Sequence, residues 1–185
     1  DLNKAAADII AGGCFDNNLL CLGEKEIFVL SSVADKFMKA LDAQGAVKIG
    51  GSVLDRLTDT VFAKKDGHYS LKRDLVGKDP QVLAEAAGIS VSANAPMLYA
   101  ETDANHPFVV EEQMMPMIPV TVVGDFDEAV DAAQKAEHNY KHSAIIHSLN
   151  VGRMTQMARA LNTTIFVKNG PSTCGLGLGG EGYLS

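Results

Sequence analysis

The chain has 185 residues, 46% of them hydrophobic and 21% charged, with a formal net charge of −7. Such a length and composition suit one globular domain that buries a core without help from disulfides or metals. The acidic balance and the lack of a Lys/Arg stripe argue against nucleic-acid binding, and no apolar run approaches the roughly 20 residues of a membrane-spanning helix.

The first segment, Asn3 to Ala11, is rich in Ala and Ile and reads as a helix that ends at Gly12-Gly13. Cys14 to Gly23 reads as a loop. Ile27-Phe28-Val29-Leu30 is a short apolar run with branched and aromatic residues, so a buried strand. Ser32 is the expected cap of the next helix, where Val33, Phe37, Ala40 and Leu41 share a face. Val53 to Ala63 repeats the helical pattern through Val53, Leu57 and Val61, and Lys64-Lys65-Asp66-Gly67 follows as a surface turn. Asp79-Pro80 opens a further helix, with Asp as cap and Pro in the first turn.

Met97 to Ala100 and Met117 to Val123 read as strands. Pro119 lacks a donor, which places it at a strand start or an edge. Asp125-Phe126-Asp127 caps a helix through Ala136, Ala144 to Ile146 is a strand, Gly152 to Leu161 a helix, and Thr164 to Val167 a final strand. Strands separated by helices predict an α/β domain with a largely parallel sheet flanked by helices, spanning residues 1–185 as a single unit.

The cysteines are Cys14, Cys21 and Cys174. An odd, sparse set without a CxxC pair forms neither a disulfide framework nor a structural zinc site, and it suits a reducing interior. A nucleophilic cysteine acts as its thiolate, which helix amides or nearby cations must favour. Composition and spacing leave Cys14 and Cys21 equivalent, and most free cysteines are small buried hydrophobes. Lys25 is close to Cys21 in sequence, although a strand after the loop could point it away.

His138 and His142 have i, i+4 spacing, but the segment changes from helix to strand between them and no HExxH element is present. No metal site is therefore expected. Asp125, Asp127, Glu128 and Asp131 read as a cap and a solvated helix face. The run Gly175 to Gly180 spells a GxGxxG pattern. A dinucleotide fingerprint needs a strand leading directly into a helix, and here Pro171 and Ser172 intervene, so a loop is the expected reading.

Phe15-Asp16-Asn17-Asn18-Leu19-Leu20-Cys21, followed by Glu24-Lys25-Glu26, resembles the active-site segment of CoA-acylating aldehyde dehydrogenases of the ethanolamine- and propanediol-utilisation type. Leu20 stands where that family commonly has proline. Val110-Glu111-Glu112-Gln113-Met114-Met115-Pro116 resembles the superfamily element that contacts the nicotinamide ribose. Ile165 to Pro171 and the glycine-rich tail resemble the end of the same catalytic domain. The resemblance implies the aldehyde dehydrogenase catalytic-domain fold, with Cys21 as nucleophile. Glu112 would bind the ribose hydroxyls, and Met114 would replace the aromatic beside the nicotinamide. His142 lies in a stretch which that family places near the active-site rim, although a surface or core role suits it better.

The same resemblance implies NAD and coenzyme A as cofactor and co-substrate, no metal, and a short aliphatic aldehyde as substrate. It further implies a cytoplasmic homo-oligomer, with a bacterial microcompartment as a candidate location, and no nucleic-acid or membrane partner. In that superfamily the nucleotide-binding domain precedes the nucleophile. The chain is therefore expected to be the catalytic domain alone, inactive without the rest. The alternative is a non-catalytic binding or assembly domain that retains the fold, a reading that the Leu20 and Met114 departures would suit.

Overall fold

The computed structural model describes residues 1–178. Its centre is a four-stranded sheet in the order β1-β6-β5-β2, parallel throughout, built from β1 (Ile27–Leu30), β2 (Val47–Ile49), β5 (Leu98–Glu101) and β6 (Met117–Val123). Alternation along the strands divides the core in two. Ile27, Val29, Met97, Tyr99, Ile118 and Val120 face one side, where Ile9 of α1 (Leu2–Gly13) and Phe37 and Leu41 of α2 (Ala34–Ala43) cover them. Leu98, Ala100 and Met117 face the other, against Leu57 and Val61 of α3 (Ser52–Val61), Leu83 of α4 (Pro80–Ala86) and Phe108 of α5 (Pro107–Val110). Strands buried on both faces are what βαβ crossovers produce.

Two smaller strand pairs lie apart from this sheet. β3 (Phe62–Lys65) and β4 (His68–Leu71) form an antiparallel hairpin. β7 (Ser143–Ile146) and β8 (Ile165–Lys168) form a parallel pair joined through α7 (Val151–Leu161). Helix α6 (Phe126–Ala136) touches β1, β6 and α7 and so bridges the main sheet to this pair. Among the described residues no helix is long and apolar enough to cross a membrane.

The α/β class and the parallel main sheet agree with the sequence, and several local expectations do not. Helix α3 stops at Val61, and Phe62 and Ala63 enter the hairpin. Asp66 and Gly67 both take positive φ (52° and 83°), the two-residue turn that matches strand twist, so the surface turn is a hairpin tip. Ser32 does not cap α2, which begins at Ala34 with Val33 in the cap position and no side-chain bond. Asp79 occupies the cap position of α4 without a side-chain bond to its amides; its Oδ1 accepts from Asn17 Nδ2 at 2.8 Å instead. Asp125 does cap α6, accepting from the Glu128 amide at 2.9 Å.

Pro119 departs furthest from expectation. It is the third residue of β6, buried, with β1 on one side and β5 on the other. The ladder register turns its missing N–H toward Lys25, just before β1, where the strand has not yet begun. The Lys25 carbonyl accepts from Gln113 Nε2 at 2.7 Å instead. A side-chain amide thus takes the place of the backbone donor that proline lacks, which lets proline sit inside a sheet.

Candidate active site

Cys21 is exposed and lies in the turn between α1 and β1. Three successive residues before it, Asp16, Asn17 and Asn18, hold left-handed φ of 50°, 50° and 61°. Asp and Asn are the non-glycine residues that tolerate this region best, so the Asp-Asn-Asn sequence is suited to the sharp reversal. Side chains then fix the turn. Asn17 Nδ2 donates to the Gly77 carbonyl at 3.0 Å and to Asp79, while buried Asn18 donates to the Glu24 carbonyl at 2.9 Å. The Cys21 amide donates to no acceptor among the described residues.

Lys25 does not point away from this turn. Its Nζ donates to the Asn18 carbonyl at 2.6 Å and lies 3.7 Å from Glu112 Oε1. Burial lowers its pKa, while the negative charges of Glu112, Glu26 and Cys21 act in the opposite direction. The ammonium therefore stands between the segment carrying Cys21 and the segment carrying Glu112. Buried Gln113 reinforces the junction, since its Nε2 donates to the Lys25 carbonyl and, at 3.2 Å, to the Met117 carbonyl.

Glu112 itself is half exposed, with its side chain 54% accessible. Its carboxylate has one cation beside it and acceptor capacity to spare. Met114 is in the left-handed region at φ 47°, and its carbonyl accepts from the Gly77 amide at 3.0 Å. Gly77 thus links Met114 to Asn17 of the cysteine turn. Cys21, Glu112 and Met114, three residues singled out by sequence, are tied into one network at the amino-terminal ends of β1 and β6.

The other cysteines differ from Cys21. Cys14 is half-buried, and burial together with the Glu24 charge pushes its thiol up to about 12, so it holds almost no thiolate near neutral pH. Cys174 is half-buried in the short 3₁₀ turn Ser172–Leu176. That turn follows Pro171, so β8 does not run into an α-helix there, and the remainder of the glycine-rich tail, from Gly179, lies outside the described residues.

Glu24 and Glu26 flank Lys25 and behave alike. Burial raises each carboxyl to about 7, with two bonds from Ser172 opposing the rise at Glu24 and Lys25 opposing it at Glu26. A cavity of about 330 Å³ lies between β1 and β7, with Cys21, Lys25, Glu26, Glu137 and His147 among its walls.

None of the histidines joins Cys21 by a hydrogen bond among the described residues. His138 Nε2 lies 3.0 Å from the Val110 carbonyl, and His142 Nδ1 lies 3.2 Å from Ser143 Oγ. Burial lowers the pKa of His147, which has Asp8 Oδ2 3.8 Å from its Nδ1.

Sequence reasoning missed the parts played by Lys25, Gln113 and Glu24. The inward turn of Lys25 follows from the left-handed run before Cys21, which no helix or strand period reveals. Gln113 sits between acidic and apolar neighbours with no pattern to mark it as buried. Glu24 had one available signal, the Gly12-Gly13 pair, which makes room for its carboxylate.

The profile "Aldehyde dehydrogenase family" matches residues 1–181. The chain is 44% identical to the acetaldehyde dehydrogenase (acetylating) EutE of Salmonella typhimurium, over 100% of this chain and 40% of that protein. It is 46% identical to the propanal dehydrogenase (CoA-propanoylating) of the same organism, over 100% of this chain and 39% of that protein. The structure superposes on the propionaldehyde dehydrogenase of Rhodopseudomonas palustris with bound propionyl-CoA at a TM-score of 0.94. There the identity is 44%, covering 99% of this chain and 40% of the other. A second structure of that enzyme carries bound CoA and an acylated cysteine, and gives the same TM-score of 0.94. The chain thus spans about two fifths of the length of the relatives it matches. It belongs to the aldehyde dehydrogenase family.

Proposed function

We propose that this chain is the thiol-carrying catalytic domain of a CoA-acylating aldehyde dehydrogenase that converts a short aliphatic aldehyde, CoA and NAD+ to acyl-CoA, NADH and a proton. The observation that carries the reading is the exposed Cys21 thiol on a reversal locked by Asn17 and Asn18, with the Lys25–Glu112 pair beside it. Relatives named for acetylating and CoA-propanoylating activity support the substrate class.

In this reading the Cys21 sulfur attacks the aldehyde carbonyl carbon and forms a thiohemiacetal. The Cys21 amide, which has no acceptor among the described residues, donates to the oxygen as negative charge develops there. NAD+, when bound, would accept the hydride that this adduct loses as it becomes an acyl thioester, with the hydroxyl proton passing to solvent. The thiol of CoA then attacks the thioester carbonyl, and the Cys21 thiolate leaves. Lys25, 3.7 Å from Glu112 Oε1, orients that carboxylate.

Glu112 fits a ribose diol, because an exposed carboxylate accepts from both hydroxyls at once. Met114, whose left-handed backbone carries the bond from the Gly77 amide, lies two residues on, and in this reading it would stand beside the nicotinamide. The rest of the nucleotide site is assigned to parts of the whole protein outside this sequence. That protein is further proposed to be a cytoplasmic homo-oligomer that a bacterial microcompartment can enclose.

The test uses the whole protein carrying this sequence, with acetaldehyde or propionaldehyde, CoA and NAD+. Acyl-CoA and NADH should appear in equal amounts. Glu112→Gln should raise the KM for NAD+ about tenfold, the loss of one charge-assisted bond of roughly 1.4 kcal/mol, with a smaller change in the KM for aldehyde. Absence of acyl-CoA formation by the unaltered protein would favour a non-catalytic domain that retains the fold. An unchanged KM for NAD+ would remove Glu112 from the ribose site.

A further inference from the structure

The reaction above leaves Glu24 without a role, although its carboxylate is held at both oxygens. Glu24 is buried, three residues after Cys21. Its Oε1 accepts from the Ser172 amide at 2.9 Å, and its Oε2 accepts from the Ser172 hydroxyl at 2.7 Å. The two residues are 148 positions apart, so these bonds join the cysteine turn to the turn after β8.

The surroundings are shaped for this pair. A Cβ placed on Gly12 would lie 2.1 Å from Glu24 Oε2 and 2.5 Å from Ser172 Oγ, so only glycine lets α1 pass. The backbone of Glu24 is tied as well, because its carbonyl accepts from Asn18 Nδ2 at 2.9 Å. Cys21 therefore sits on a short span whose two ends, Asn18 and Glu24, are bonded to each other, and one of those ends is bonded to Ser172. Burying a carboxylate is costly unless it is hydrogen-bonded, and packing alone does not call for one.

We propose that Glu24 is a positioning residue: its paired bonds to Ser172 anchor the turn that presents Cys21 and so set the reactivity of the Cys21 thiol. The proposal rests on the reading of Cys21 as nucleophile. Two acceptor oxygens meet two donors on one residue. Glutamine keeps one oxygen for the Ser172 amide, and its NH2 donates to the Ser172 hydroxyl, so Glu24→Gln replaces two charge-assisted bonds by neutral ones, one of them reversed, and weakens the tie without changing size. Ser172→Ala removes the hydroxyl and leaves the amide in place.

The experiment measures the rate constant for alkylation of Cys21 by iodoacetamide in the whole protein, followed by mass spectrometry of the Cys21 peptide. Thermal melts check that each variant is folded, and labelling in denaturant checks that the free thiols react alike. Glu24→Gln and Ser172→Ala should each slow native Cys21 alkylation about tenfold, a loss of the size that small misplacements cause. The double variant should be no slower than the slower single variant, because both changes weaken the same tie. In steady state, kcat should fall while the KM for aldehyde holds.

Folded variants whose Cys21 reacts at the unaltered rate, or losses that multiply in the double variant, would overturn the proposal. If Glu24→Gln does not fold, Ser172→Ala carries the test, since it deletes a single hydroxyl. Alkylation needs neither aldehyde nor cofactor. Failure of acyl-CoA formation by the unaltered protein would therefore sink the proposed activity and leave this measurement readable.

Discussion

Replacing Cys21 by alanine in the whole protein is expected to lower aldehyde- and CoA-dependent NADH formation by about a thousandfold or more. In the proposed mechanism Cys21→Ala removes the atom that bonds covalently to substrate. The side chain is exposed and packs into neither half of the core. Its loss should leave the thermal midpoint almost unchanged, since surface substitutions shift stability by no more than about 0.5 kcal/mol. A large fall in rate without a fall in stability separates a nucleophile from a structural thiol. Cys14→Ala is the comparison. Its thiol is pushed up to about 12 by burial and by Glu24, so at neutral pH it supplies almost no thiolate. That variant should keep its rate per folded molecule. Initial NADH absorbance rates on both variants, with melts alongside, make the measurement. A Cys21→Ala enzyme with the unaltered rate would contradict the assignment.

The second large effect belongs to Gln113. Its amide fills the place that Pro119 leaves empty in the ladder and joins the carbonyls of Lys25 and Met117. Leucine is similar in volume and donates nothing. Gln113→Leu leaves both carbonyls buried without that donor, at about 1–3 kcal/mol for each unsatisfied group. The expected loss of unfolding free energy is therefore about 2–6 kcal/mol, read as a lower urea midpoint at constant slope. The consequence reaches the site, because the Lys25 backbone is what Gln113 holds, and Lys25 stands between Asn18 and Glu112. A midpoint within experimental scatter of the unaltered protein would mean that Pro119 is accommodated by other means.

These two residues show what the sequence makes legible and what it hides. The apolar run Ile27 to Leu30 announces its strand, and Asp125 announces a helix start, because period and capping are local properties. The hairpin of β3 and β4 was hidden because Phe62 and Ala63 continue the helical apolar pattern of α3 and only the Asp66-Gly67 conformation breaks it. Pro119 misled for a different reason. Its exclusion from central strands assumes that the missing bond goes unreplaced, and the replacement is a side chain six residues earlier. At the site, the neighbourhood of Cys21 and Glu112 was legible only through resemblance. Their approach depends on three consecutive left-handed residues and on a lysine that turns back. Contacts between segments about 90 residues apart, such as Gln113 to Lys25, leave no periodic trace.

An acyl group carried by Cys21 can be trapped before CoA removes it. The whole protein is mixed with propionaldehyde and NAD+ without CoA, quenched in acid, digested and analysed by mass spectrometry. A propionyl mass increment is expected on the peptide carrying Cys21, and it should disappear when CoA is added before the quench. An increment on Cys14 or Cys174 instead, or NADH release with all three thiols left unmodified, would contradict acyl transfer through Cys21.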